Sequence, residues 1–147
     1  MDRINLQDKA QPLEGRISHY WFENEHIGLK RTRFHRIQIP FEPFNSGLDY
    51  VEQPESTSLV IEWLVLPVAD PAKLEGVHVS ASTAPVMEAS IYLGGAHNWM
   101  HVSELSFQSD GVDYLVACKG IVQFENEGVG ETEPFSFAAR AKYVGEA

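Results

Sequence analysis

The sequence predicts an all-β domain, mainly antiparallel, in which about eight strands form a sandwich or a barrel-like meander. Three observations predict this fold class. Apolar and polar residues alternate with period two in several runs. Turn signals rich in glycine, proline, asparagine and aspartate recur at intervals of roughly 8 to 15 residues. No long run has the 3.6-residue period of a helix, so one short helix is expected at most. A single strongly curved sheet is the alternative arrangement.

The first two predicted strands lie at residues 15 to 22 and 27 to 39, on either side of a polar turn. The second run places Arg31, Arg33 and His35 on the same parity as its isoleucines, so a continuous strand would bury three basic groups. A β-bulge that switches faces, or an edge strand with a solvated centre, would avoid this burial. If this basic stripe binds anything, we expect an acidic segment of the same chain or a second copy.

The middle of the chain combines a long loop, one short helix and several strands. Residues 40 to 55 contain three prolines and are predicted to be a loop. Residues 70 to 76 have a capping Asp70, then Pro71, and Gly76 at the exit, which predicts a short helix. The predicted strands here are residues 56 to 66, 77 to 81, 86 to 93 and 97 to 107. The first of these is apolar on both faces and is expected to be the most central strand.

The clearest strand pattern is at the end of the chain, in the runs Val112 to Phe124 and Glu133 to Tyr143. In each run apolar side chains occupy alternate positions, so one face must be buried. The acidic, glycine-containing residues 125 to 132 connect the runs. We therefore predict an antiparallel hairpin with a wide loop.

The register of this hairpin follows from its charges. Pairing Phe124 with Phe135 would set Lys119 opposite Arg140, and like charges in opposing positions destabilise a sheet. We predict instead that Val122 lies opposite Phe135.

Composition limits the domain organisation and the compartment. The 147 residues fit a single domain, 1–147, in which the polar residues 1–13 are expected to form a loose N-terminal arm or a short edge element. One cysteine cannot form an internal disulfide, and the N-terminus has no apolar segment typical of a signal peptide, so a cytoplasmic protein is expected. The net charge of −10 disfavours nucleic acid and anionic membranes as partners.

The sequence shows no catalytic signature, and we expect no metal, cofactor or catalytic residue. A nucleophile elbow, a zinc-protease helix, a phosphate loop and a dinucleotide fingerprint are all missing. His97 and His101 would lie roughly 13 Å apart on one strand, too far to share an ion. Cys118 is on the apolar face of its strand, a setting that does not favour a reactive thiolate.

Acidic residues combined with aromatic residues on two loops are the feature that most favours a binding function. Carboxylates can steer a basic protein surface toward the chain, and aromatic rings can supply the buried contact area. Acidity kept only for solubility is the competing interpretation. The candidate partner-binding residues are Phe41, Glu42, Phe44, Asp49, Tyr50, Glu52, Glu55, Glu125, Glu127 and Glu131.

We therefore interpret the chain as a non-catalytic cytoplasmic protein that binds a basic protein partner, in the manner of an inhibitor or an immunity protein; self-association stays open. One alternative is a small-ligand carrier whose interior would be lined by Trp21, Trp63, Trp99 and Tyr114. A second alternative is an enzyme in which histidines converge with carboxylates in a cleft. The candidate histidines are His19, His78, His97 and His101.

Overall fold

Eight strands form one mainly antiparallel sheet in the computed structural model, which describes residues 2–147. The strands are β1 (Gly15–Asn24), β2 (Leu29–Pro40), β3 (Ser58–Leu64), β4 (His78–Val79), β5 (Glu88–Leu93), β6 (Ala96–Asp110), β7 (Asp113–Val122) and β8 (Glu133–Glu146). The short helix α1 is Leu6–Lys9, and 3-10 turns lie at Glu25–Ile27 and Phe124–Glu127. The predicted all-β class is confirmed.

The sheet closes into a seven-stranded barrel. The strand order is β4-β6-β5-β3-β2-β1-β8-β7, and β6 also pairs with β7, which joins the two ends. The first and last strands, β1 and β8, are the parallel neighbours in this order. The small strand β4 lies outside the closed ring, beside the C-terminal half of β6. Closure pairs the edges that an open sheet would leave exposed.

Hydrocarbon side chains fill the barrel interior. Alternate residues of each strand point inward, as period-two patterning requires, and most of them are fully buried. The inward set includes Ile17, Ile37, Ile39, Leu59, Ile61, Ile91, Leu93, Val102, Leu105, Phe107, Val116 and Val122.

The N-terminal residues, expected to form a loose arm, are instead packed against one end of the barrel. Ile4 and Leu6 are fully buried. The buried Glu133 carboxylate accepts hydrogen bonds from the Asn5 and Leu6 backbone amides, each at 2.9 Å. This attachment is not evident from the sequence because the apolar residues of the arm are few and the carboxylate that holds it is distant in sequence.

The short helix predicted at residues 70 to 76 is wrong, because this segment forms two turns. The Asp70 side chain does accept a hydrogen bond from the Ala72 amide at 2.9 Å, as a capping residue would. The chain is then drawn away from a helical path, because Leu74 is buried in the core and the Gly76 amide bonds to the Phe107 carbonyl.

The basic residues of β2 are accommodated without the predicted change of face. β2 lies between β1 and β3, so it is not an edge strand. Its pairing with β1 keeps one register from Thr32 to Gln38 and shifts between Thr32 and Leu29, at the start of β2 rather than near its middle. A second irregularity lies opposite β2, in β3, where Trp63 has a φ of 55°. The inward-pointing positions of β2 continue to the end of the barrel. There Arg33 and His35 contact backbone carbonyl groups of the same chain.

The predicted C-terminal hairpin is confirmed, but its register differs from the prediction by two residues. Gly120 lies opposite Phe135, and Val122 lies opposite Glu133. Phe124 is not part of β7, because it is buried in the 3-10 turn that follows this strand. The pairing of β7 with β8 is therefore shifted by two residues from the predicted one. Lys119 faces Ser136, so the clash with Arg140 is still avoided.

Candidate functional site

Hydrophobic side chains surround the single cysteine of the chain in the barrel interior. Cys118 is buried in it, and this burial raises the pKa of the thiol to about 12, so the thiolate is disfavoured at neutral pH. Within residues 2–147, no three His, Cys, Asp or Glu side chains are grouped as a metal ion requires. Of the aromatic residues considered for a ligand cavity, Tyr114 is buried, whereas Trp99 and Trp21 are exposed.

The two predicted acidic loops converge at one end of the barrel, around the turn between β5 and β6. A Cβ atom added at Gly94 would lie 2.8 Å from both Leu48 Cδ1 and Tyr50 Oη, and 2.9 Å from Val129 Cγ1. Residues 40–57, which run from the end of β2 to the start of β3 and are called the 40–57 loop, and residues 123–132, which connect β7 to β8, are therefore in contact range of the same residue. We call this surface the acidic end.

Six of the predicted acidic residues are exposed at the acidic end. None of their carboxylates lies within 4.0 Å of a basic group in the part of the chain that the structure describes. Their charges are therefore not neutralised by direct ion pairs. These residues are Glu42, Asp49, Glu52, Glu125, Glu127 and Glu131.

The aromatic residues of the 40–57 loop do not all reach the surface. Phe41 and Phe44 are buried in the core, whereas Tyr50 is 60% exposed. Glu55 is occupied within the loop, since it accepts hydrogen bonds from the Ser46 hydroxyl and the Gly94 amide. A partner docking on the acidic end would therefore meet one of the three predicted rings.

The basic stripe lies at the opposite end of the barrel and contacts its own chain. The Arg33 guanidinium donates to the carbonyls of Val68 and Ala69. His35 Nε2 lies 2.8 Å from the Pro71 carbonyl oxygen. Arg31 stacks over the Trp21 ring at 4.7 Å, outside the buried region. Arg33 and His35 thus hold the 66–76 segment across this end, through backbone carbonyls rather than through carboxylates.

One of the histidines considered for catalysis has a carboxylate nearby. His19 Nδ1 lies 2.5 Å from the Tyr143 hydroxyl, and its Nε2 lies 3.8 Å from Glu146 Oε1, beyond hydrogen-bond distance. His35 packs beside His19, with ring centroids 6.2 Å apart. The remaining candidates His78, His97 and His101 are on β4 and β6 and do not join this group.

His35 is held in its neutral form by its surroundings. Burial lowers the pKa of His35 below the usual 6.5, and the nearby Arg33 and His19 lower it further, against the opposing effect of the bond to Pro71. The Nδ1 atom is buried without a hydrogen-bond partner among the described residues. A proton added there would be both charged and unpaired.

This environment predicts acid destabilisation that depends on His35. Because the folded-state pKa lies below 6.5, the unfolded chain binds a proton more readily as the solution becomes acidic. The stability that neutral His35 contributes is complete above about pH 6.5 and is lost as the pH falls toward the folded-state pKa. Urea denaturation from pH 7.5 to 5.0 should show a steeper loss for wild type than for His35→Gln, which cannot titrate. Parallel curves for the two proteins would contradict this assignment.

One concavity on the outside of the barrel has a volume of about 490 Å³. It is a groove between side chains that point outward from β2, β3, β5 and β6. A second concavity of about 380 Å³ is more apolar, and Glu88 lines both. We call them the outer groove and the apolar groove. The main lining residues of the outer groove are Arg36, Val60, Glu62, Ser90, Tyr92 and Trp99, and those of the apolar groove are Phe22, Ile27, Leu29, Phe34, Trp63 and Val86.

The position of Trp99 in the outer groove differs from the prediction because of a bulge in β6. Trp99 shares parity with Leu105 and Phe107, and this parity predicts that it points inward with them. The pairing of β6 with β7 shifts between Val102 and Glu104, and residues before this bulge face the opposite way. Trp99 is consequently 42% exposed. The sequence does contain one indication of the grooves, because Glu88 is a charged residue at an outward-pointing position of the otherwise mostly apolar β5 run.

Comparisons with protein-family models, with curated proteins and with solved structures returned no match for this chain. In residues 2–147, no helix has the length and apolar character needed to cross a membrane.

Proposed function

We propose that this protein is a non-catalytic binding protein whose acidic end engages the basic surface of a protein partner. The observation that carries the proposal is the convergence of two loops distant in sequence, which together expose six carboxylates without ion-pair partners among residues 2–147. Inhibitors and immunity proteins are the class of function that such a surface suits.

The electrostatics of the chain support this proposal. A net charge of −10 produces a long-range attraction for basic partners, and exposed carboxylates on one end orient the encounter. Tyr50, which is exposed within the same surface, can supply apolar contact area and a hydroxyl at the interface. Charges of this kind act mainly on the association rate, so binding should weaken as salt rises.

Neutralising the 40–57 loop tests the proposal. We expect the variant Glu42→Gln, Asp49→Asn, Glu52→Gln to lose a partner that immobilised wild-type protein captures from source lysate at low salt. Several weakened charge contacts of up to about 1 kcal/mol each would reduce affinity on the order of tenfold or more. Glu55 is kept because it supports the loop internally. Mass spectrometry of the retained proteins at low and high salt provides the measurement.

A matched control separates location from total charge. The variant Glu23→Gln, Glu25→Gln, Glu104→Gln removes the same charge from exposed positions outside the acidic end. It should capture the partner as wild type does. Equal loss in both variants, or equal retention in both, would argue against the acidic end as the docking surface.

A further inference from the structure

The outer face of the barrel carries an unfavourable charge pair at the junction of its two grooves. Glu62 of β3 and Glu88 of β5 are directly opposite one another, and like charges in this position destabilise a sheet. Arg36 Nε lies 2.7 Å from Glu62 Oε1, and the Tyr20 hydroxyl donates to Glu62 Oε2 at 3.0 Å. Glu62 is thus compensated within the chain.

Glu88 is the carboxylate that remains uncompensated. It is exposed, and within residues 2–147 it has neither an ion pair within 4.0 Å nor a side-chain hydrogen bond. Arg36 already neutralises Glu62. One further cation beside Glu88 would therefore neutralise the second carboxylate of the pair.

Aromatic rings flank Glu88 on both sides. Trp99 lies opposite Ser90, one outward position along β5 from Glu88, and Tyr92 lies one position further. Trp63 and Phe22, which line the apolar groove, pack edge to face at 5.1 Å. Soluble proteins rarely leave several large rings exposed together unless the surface binds something. Trp63 also has a positive φ, and such backbone strain in a bulky residue is most often retained at functional sites.

We propose that Glu88 and its flanking rings bind an arginine side chain of a protein partner, while the apolar groove receives a neighbouring apolar side chain. The planar guanidinium can pair with a carboxylate and stack on an aromatic face at the same time, which an ammonium group does less well. The protein contains both contacts already, in Arg36 with Glu62 and in Arg31 over Trp21. The inference rests on the proposed function only in taking the partner to be a basic protein, since the site is separate from the acidic end.

Short peptides and the indole N–H resonances of the three tryptophans test this site. The probe is acetyl-Gly-Arg-Gly-Leu-Gly-amide, titrated into the full-length protein, and its citrulline counterpart is the uncharged control. We expect the arginine peptide to shift the Trp99 and Trp63 resonances and to leave Trp21, which Arg31 already covers, nearly unchanged. The citrulline peptide should bind at least about fivefold more weakly, the loss expected for one partly exposed charge contact.

Substitutions and a second probe decide between the remaining outcomes. Glu88→Gln should weaken the arginine peptide by about fivefold, whereas Glu104→Gln, at an exposed position of β6 outside both grooves and the acidic end, should leave its affinity unchanged. Equal binding of the citrulline peptide, or an equal effect of Glu104→Gln, would overturn the proposal. Arginine amide binding as tightly as the peptide would overturn it in favour of a small-cation site. Concentration-dependent dimerisation that Glu88→Gln abolishes would overturn it in favour of a second copy. A negative result for the arginine peptide would leave the outcome of the lysate experiment on the acidic end unaffected.

Discussion

Glu133→Ala is expected to release the N-terminal segment and to lower the free energy of unfolding by about 3 kcal/mol. The buried carboxylate accepts hydrogen bonds from the Asn5 and Leu6 amides, and alanine would leave the buried Leu6 donor and the part-buried Asn5 donor without this partner. Ile4 and Leu6, which close this end of the core, would then lose their attachment. Hydrogen exchange at residues 4 to 9 and urea denaturation measure the local and the global effect.

Gln7→Ala is the matched control for this prediction. Gln7 also bridges the N-terminal segment to β8, donating to the Ser136 carbonyl and accepting from the Ser136 amide, each at 2.8 Å. These bonds are exposed, so water can replace them and the expected cost is about 1 kcal/mol or less. If Glu133→Ala were no more destabilising than Gln7→Ala, the buried carboxylate would not be the attachment that we infer.

Gly120→Ala is expected to destabilise the barrel by about 3 kcal/mol or more. A Cβ atom at this position would lie 2.1 Å from the His101 carbonyl oxygen, a distance that no side-chain rotation can relieve because the contact is with backbone. The neighbouring β6 bulge between Val102 and Glu104 is paired to this same stretch of β7, so the backbone cannot shift without disturbing the ladder. Thermal unfolding followed by circular dichroism measures the loss.

Gly128→Ala separates steric contact from the general cost of replacing glycine. Gly128 has a φ of 68°, and an added Cβ would meet no atom within 4 Å. Only the left-handed backbone then opposes alanine, at a cost of about 1 kcal/mol. Similar destabilisation by both variants would show that the close approach at Gly120 relaxes easily.

The parts of the fold that the sequence predicted well are those governed by neighbouring residues. Alternation in Val112 to Phe124 and Glu133 to Tyr143 was sufficient to predict two paired antiparallel strands, because period two leaves one face that must be buried. The same reasoning identified the exposed carboxylates of the two loops, since charged side chains seldom become fully buried.

The candidate site was less predictable because its members are brought together by distant contacts. Phe41 and Phe44 resemble surface anchors in the sequence, yet the packed N-terminal segment and the rings of β8 cover this end of the barrel, with Phe41 5.9 Å from Phe135. A bulge in β6 turns Trp99 outward, and this bulge is not evident from the residues of β6 alone. The pairing of Glu62 with Glu88 exists only once β3 and β5 are adjacent.

The sequence by itself determined the strand class, the acidity of the loops and the inward parity of most strands, because side-chain alternation and charge are local properties. Only the tertiary structure decided that the sheet closes as a barrel, that Glu133 is buried as an acceptor for the N-terminal amides, and that Glu88 lies uncompensated between aromatic rings. Each of these depends on which distant strands become neighbours, such as β1 with β8. The summed burial of many side chains, rather than any one segment, determines which strands become neighbours.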